Sequence, residues 1–133
     1  MVTGEGEKTE KITINLGLVD LGQIDLLVQE GFYTNRTDFI RAAIRTQLAT
    51  RAVALDDTVA RRTLTLGNCR YTRRDLEEVR DAGAMIDIRV LGLASIAADV
   101  SPELALATIA SVEVLGAFRA PSAVKAALAE RIA

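Results

Sequence analysis

Six residues near the start of the chain, Lys11-Ile12-Thr13-Ile14-Asn15-Leu16, alternate strictly between polar and apolar. Strand side chains point to opposite faces with a period of two. Ile12, Ile14 and Leu16 therefore share one face, and Lys11, Thr13 and Asn15 the other. A strand this short can neither bury an apolar face nor satisfy its edges by itself. The next strand-like run lies about fifty residues further on, and the segments between read as helices. The simplest partner is the same strand from a second copy. That pairing makes a two-stranded ribbon whose outer face carries six hydrogen-bonding side chains, three from each chain.

Met1 to Glu10 is polar, holds two glycines and lacks periodicity, which reads as a mobile arm. After the strand, Gly17 interrupts the pattern. Val19 to Glu30 then places Leu21, Ile24, Leu27 and Val28 on one helical face, with Gly31 as its stop. Phe32 and Tyr33 are expected to be buried at the turn. Asn35-Arg36-Thr37-Asp38 starts a second helix: Asn35 caps the first amides and Asp38 reaches back. Phe39, Ile40, Ala43, Ile44 and Leu48 face inward on this helix, which is expected to run to about Ala54. Asp56 and Asp57 suggest a break. Asp20 and Asp25 read as solvated surface residues.

From Thr63 the pattern changes. Thr63-Leu64-Thr65-Leu66-Gly67, Ile88-Arg89-Val90-Leu91-Gly92 and Val112-Glu113-Val114-Leu115-Gly116 are three strand-like runs ending in Leu-Gly, their glycines 25 and 24 residues apart. A helix start follows each: Thr72 with Asp75, Ser101-Pro102-Glu103, and Pro121-Ser122. A strand, turn and helix recurring at this period fall in the leucine-rich-repeat range, which predicts parallel strands with helices on one side. Cys69, just past the first Leu-Gly, reads as a turn residue. Arg70, Arg73 and Arg74 precede Asp75, Glu77 and Glu78, which predicts a mixed-charge helix surface.

Composition narrows the chemistry. Half of the 133 residues are hydrophobic and 26% are charged, as in folded globular chains. One cysteine excludes an internal disulfide, and the lack of histidine removes the commonest general base and metal ligand. No acid/base pair or activated nucleophile can be assembled, so the chain reads as a non-enzyme that needs no cofactor. Nothing resembles a membrane span or signal peptide, which points to a cytoplasmic location. The formal charge of −2 does not suggest a nucleic-acid binder, but global charge mainly sets non-specific attraction and a local surface can differ from it.

Strand, helix, turn and helix at these lengths, with an alternating strand and an Asn-Arg-Thr-Asp helix start, resemble the ribbon-helix-helix family of MetJ, Arc and CopG type over roughly residues 10–52. The resemblance implies an intertwined dimer whose antiparallel ribbon enters the major groove of double-stranded DNA. It places Lys11, Thr13 and Asn15 on base edges. Lysine can donate to guanine O6 and N7, asparagine can pair with adenine N6 and N7, and threonine can serve either partner or meet a thymine methyl. It also implies a phosphate anchor at Asn35, Arg36 and Thr37, where free amides and the helix dipole favour an anion. Such contacts hold register without reading sequence. The apolar link Leu16-Gly17-Leu18-Val19 departs from the polar turn often found in that family, and suggests that Leu18 packs against the C-terminal half.

The resulting fold class is α+β. It comprises an arm (1–9), an intertwined ribbon-helix-helix dimer (10–54), a linker or helix extension (55–62), and a three-coil, leucine-rich-repeat-like βα domain (63–133). The expected function is that of a dimeric, sequence-specific regulator, a repressor, with residues 63–133 joining dimers into tetramers or larger assemblies. The alternatives are an antitoxin or adaptor whose C-terminal part grips another protein, and a scaffold polymer.

Overall fold

The computed structural model describes residues 9–133. They form two units, Lys11–Thr58 and Val59–Ala133, the second including Thr9 and Glu10. Residues 1–8 of the expected arm lie outside the described residues.

In the first unit, helices α1 (Leu18–Gln29) and α2 (Arg36–Thr50) pack together, and α3 (Ala52–Arg61) carries the chain into the second unit. The end of α1 is closed by two backbone bonds, Gly31 N–H to Val28 O at 3.1 Å and Phe32 N–H to Leu27 O at 3.0 Å. This is the Schellman arrangement, with Gly31 at positive φ. The helix break falls at Arg51 and not at Asp56-Asp57, which lie inside α3. Acidic residues are tolerated within a helix, whereas the turn at Arg51 is set by backbone geometry that composition does not show. Phe32 is 70% exposed and Leu18 85% exposed, so neither has the burial expected of it. Tyr33 is half-buried and meets the Phe39 ring edge-on, with centroids 5.0 Å apart.

The second unit alternates strand and helix: β1 (Thr65–Tyr71), α4 (Arg73–Asp81), β2 (Ile86–Ile96), α5 (Pro102–Thr108), β3 (Ile109–Arg119) and α6 (Ser122–Ala127), then a 3-10 turn at Ala129–Arg131. The strands form one parallel sheet in the order β1-β2-β3. Helices α4, α5 and α6 lie side by side. Leu76, Leu104, Ala105, Val124 and Leu128 are buried in one core with Cys69, Tyr71, Ile88, Val90, Ala94, Ile96 and Val112 from the strands. Burial alternates along β2, as it must when helices cover a single face. The helix starts follow the sequence. Thr72 and Asp75 form a full capping box, and Ser101 accepts from Leu104 N–H with Pro102 at the first helical position.

Each Leu-Gly pair does not end its strand, and this corrects the expected leucine-rich-repeat solenoid. The strands continue through Gly67, Gly92 and Gly116 to Tyr71, Ile96 and Arg119, giving one three-stranded sheet with strands of 7, 11 and 11 residues. Cys69 is consequently a buried strand residue and not a turn residue. The glycines are directly aligned, Gly67 with Gly92 and Gly92 with Gly116. All three have φ between 120° and 138°, a region essentially closed to residues with a Cβ. A Cβ on Gly92 would overlap the Gly67 carbonyl, and one on Gly116 the Gly92 carbonyl. The repeat therefore encodes the register of a sheet, with a shared backbone kink at one level.

Candidate nucleic-acid interface

The residues expected to read and grip DNA all fall in the Lys11–Thr58 unit. Thr9–Gly17 forms neither helix nor strand, and Lys11, Thr13 and Asn15 are exposed. A strand is held by ladder bonds to a neighbour, and no segment among the described residues pairs with this one. The apolar half of the alternation is exposed as well: Ile12 by 74%, Ile14 by 59% and Leu16 by 40%.

The helices repeat this deficit. Of the apolar residues in the unit only Ile24 is buried, while Leu26, Ile44, Leu48 and Val53 are each about half exposed or more. Leu21, Leu27, Phe39 and Ile40 are half-buried. A helical hairpin with one buried side chain has too little core to offset its chain entropy.

The start of α2 is built as its sequence predicts. The Asn35 Oδ1 accepts from Asp38 N–H at 2.8 Å, and the Asp38 carboxylate accepts from Thr34 N–H at 3.0 Å. Asp38 thus reaches one residue behind the cap and ties the turn to the helix. The amides of Arg36 and Thr37, first and second in α2, find no acceptor among the described residues. They point outward from the positive end of a 15-residue helix.

Arg36 departs from expectation. Its guanidinium donates twice to Asp25 on α1, Nε to Oδ1 at 2.7 Å and an Nη to Oδ2 at 2.8 Å. The fork links α1 to α2 through an ion pair in which both side chains stay substantially exposed. Asp25, read from sequence as a solvated surface residue, is the partner that was missed. The two are eleven positions apart on different helices, beyond the reach of any rule of local spacing. The start of α2 thus presents two amides without an acceptor among the described residues and the exposed Thr37 side chain, with the Arg36 guanidinium held on Asp25. Arg41 and Arg45 are exposed and form no ion pair among the described residues.

The Arg36 hydrogen bonds hold the Asp25 carboxyl below its ordinary value of 3.8. A carboxyl whose folded pKa is depressed contributes stability above its unfolded pKa and loses it as pH falls through the folded one. The hairpin clasp is therefore expected to be intact at neutral pH and to open only as acidification passes through that lowered pKa. A carboxyl-carbon NMR titration is expected to find Asp25 depressed, and to find it back near its ordinary value in Arg36→Ala.

Other chemistry finds little support among the described residues. No cluster of His, Cys, Asp or Glu there could hold a metal. The two surface depressions beside α4 are lined by Arg73, Glu77, Arg80 and Asp99, which already pair with one another. No helix among the described residues is long and apolar enough to cross a membrane.

No curated protein and no solved structure matches the chain. One family model does, over residues 7–125, and it spans the parallel sheet as well as the two N-terminal helices. This match, with the capped helical hairpin and the alternating segment before it, places the chain in the ribbon-helix-helix transcriptional regulator family, a family of DNA-binding regulators.

Proposed function

We propose that the chain is a homodimeric, sequence-specific repressor in which Lys11–Leu16 of two copies pair antiparallel and enter the major groove. The observation that carries this reading is the exposed apolar set Ile12, Ile14, Leu16, Ile44 and Leu48 in a unit with one buried apolar side chain. Spacing of two along the strand and of four along α2 presents these residues as two stripes, and a second copy buries both at once. Ribbon formation then turns Lys11, Thr13 and Asn15 to one outer face. The amides of Arg36 and Thr37 and the Thr37 hydroxyl take a backbone phosphate and set the ribbon's depth.

In this reading the Val59–Ala133 unit joins dimers. Its own core argues against an antitoxin tail that folds only on a partner, because fourteen of its residues form one buried cluster. Several dimers side by side would offset the near-neutral charge of each, since linked sites add avidity without new base contacts.

Selection from a random duplex pool should yield a defined site. The triple variant Lys11→Ala, Thr13→Ala, Asn15→Ala is expected to stay dimeric and lose about 100-fold or more in affinity for that site, given roughly 1–3 kcal/mol per good base contact. Undiminished affinity in that variant would remove the ribbon from recognition. Thr37→Ala is expected to weaken all duplexes alike and to leave the choice of site unchanged.

A further inference from the structure

The glycine ladder has a vacancy at one end. Gly92 and Gly116 need to be glycine because the preceding strand's carbonyl occupies the place of a Cβ. Gly67 has the same backbone twist, φ 122°, yet none of the described residues lies within 4 Å of its Cβ position. It stands on β1, which has no neighbouring strand on its outer side among the described residues. The place where a preceding carbonyl would sit is open.

The opposite edge has a matching opening. The start of β3 is covered, since Ile132 bridges Val112 and Ala133 N–H donates to Val112 O at 2.9 Å. From Val114 to Arg119 no strand among the described residues pairs with the outer side of β3. Within the sheet, Val114–Arg119 is level with Val90–Ser95, which is level with Thr65–Arg70. The uncovered part of β3 therefore has the register and length of the free edge of β1. At Thr63, level with Val112 and its Ile132 cover, a φ of 52° turns the chain before β1 begins. An incoming β1 thus leaves the sheet where the cover begins.

We infer that β1 of one copy pairs parallel with β3 of the next, Gly67 beside Gly116, so that the sheet continues from copy to copy. The side-chain rows continue with it: Leu66 follows Leu115 as Leu91 follows Leu66, and α4 follows α6 as α5 follows α4. Such a contact is heterologous, so it joins copies head to tail into assemblies larger than two instead of forming a second dimer. One row opposes it. Arg70 falls beside Arg119 of the neighbouring copy, and like charges directly opposite weaken strand pairing. Among the described residues Arg119 makes one long hydrogen bond within its own chain, 3.4 Å to the Thr9 carbonyl. The association is accordingly weak at low salt and grows as salt screens the row.

This inference rests on the assembly role proposed for Val59–Ala133 and is independent of how the ribbon meets DNA. The test is the full chain with Asn68→Cys and Ala117→Cys. Within one chain these positions are two strand spacings apart, about 9.6 Å, too far for a disulfide. Across the junction they are direct neighbours. Mild oxidation is expected to give a ladder of trimers and larger species on a non-reducing denaturing gel, absent from either single variant. Bands no larger than a dimer would overturn the inference. Light scattering of chains without the new cysteines provides a second readout. Arg70→Glu is expected to raise the mean mass at low salt several-fold, and adding Arg119→Glu to reverse it. An unreversed mass would overturn the register. Adding the Lys11, Thr13, Asn15 triple alanine to the cysteine chain is expected to remove site selection and keep the ladder, which separates failure of this inference from failure of the DNA-reading proposal.

Discussion

At low salt, where the sheet-edge association is weak, an Ile14→Lys chain is expected to sediment as a monomer at micromolar concentration and to lose specific DNA binding entirely, while its parallel sheet stays folded. Ile14 is 59% exposed in the single chain, so the lysine costs the isolated fold little. In the proposed ribbon each copy contributes one Ile14 to the shared core. Burying such a side chain is worth roughly 1.5–3 kcal/mol, and two-fold symmetry doubles the loss to about 3–6 kcal/mol. That is a factor of roughly 100 to 10,000 in the dimer dissociation constant, before the cost of burying an ammonium is added. Sedimentation velocity with far-ultraviolet circular dichroism separates the outcomes. A dimer that persists with Ile14→Lys at low salt, where the sheet-edge association is weak, would rule out ribbon pairing through this face.

Gly92→Ala is expected to be, together with Gly116→Ala, among the most damaging single substitutions in the second unit. Two effects combine at that position. A φ of 138° excludes an L side chain at a cost of about 1–3 kcal/mol, and the new Cβ overlaps the Gly67 carbonyl. Relief requires parting β1 from β2 in the middle of a close-packed sheet, so the total should exceed roughly 3 kcal/mol. For a unit of this size that lowers the melting temperature by about 10–20 °C. Gly67→Ala meets only the conformational cost, since nothing lies near its Cβ position in the single chain. The difference between the two melting temperatures therefore measures the carbonyl contact itself. Equal losses would mean that the ladder is not held by close approach.

Local physics accounts for what could be read before the fold was known. Helix starts are local: Asn35, Thr72 and Ser101 each bond an amide three positions on, and each was legible as a cap. The three Leu-Gly pairs were legible as equivalent points, and the sheet aligns their glycines. Their meaning was misread. A glycine after a short apolar run ordinarily signals a turn. Here the kink it permits is shared by the neighbouring strands, so pairing resumes beyond it. The resemblance first recognised over residues 10–52 extends in the family match to residue 125, because sheet register leaves a weaker local pattern than a capped hairpin.

The candidate site divides in the same way. Exposure of Lys11, Thr13 and Asn15 and capping by Asn35 follow from residue type and spacing. The engagement of Arg36 by Asp25 does not, because it depends on how two helices cross. The sequence by itself determined the polar-apolar alternation of the N-terminal segment, the helix starts set by caps, and the equivalence of the three βα units. All of these depend on contacts within about four residues or on a simple period. Only the tertiary structure decided that the strands run through their glycines, that Cys69 is buried, that Arg36 is paired, and that Gly67 lacks the neighbour its two counterparts have. Each of these rests on atoms that come together from distant parts of the chain, and no local pattern encodes their distance.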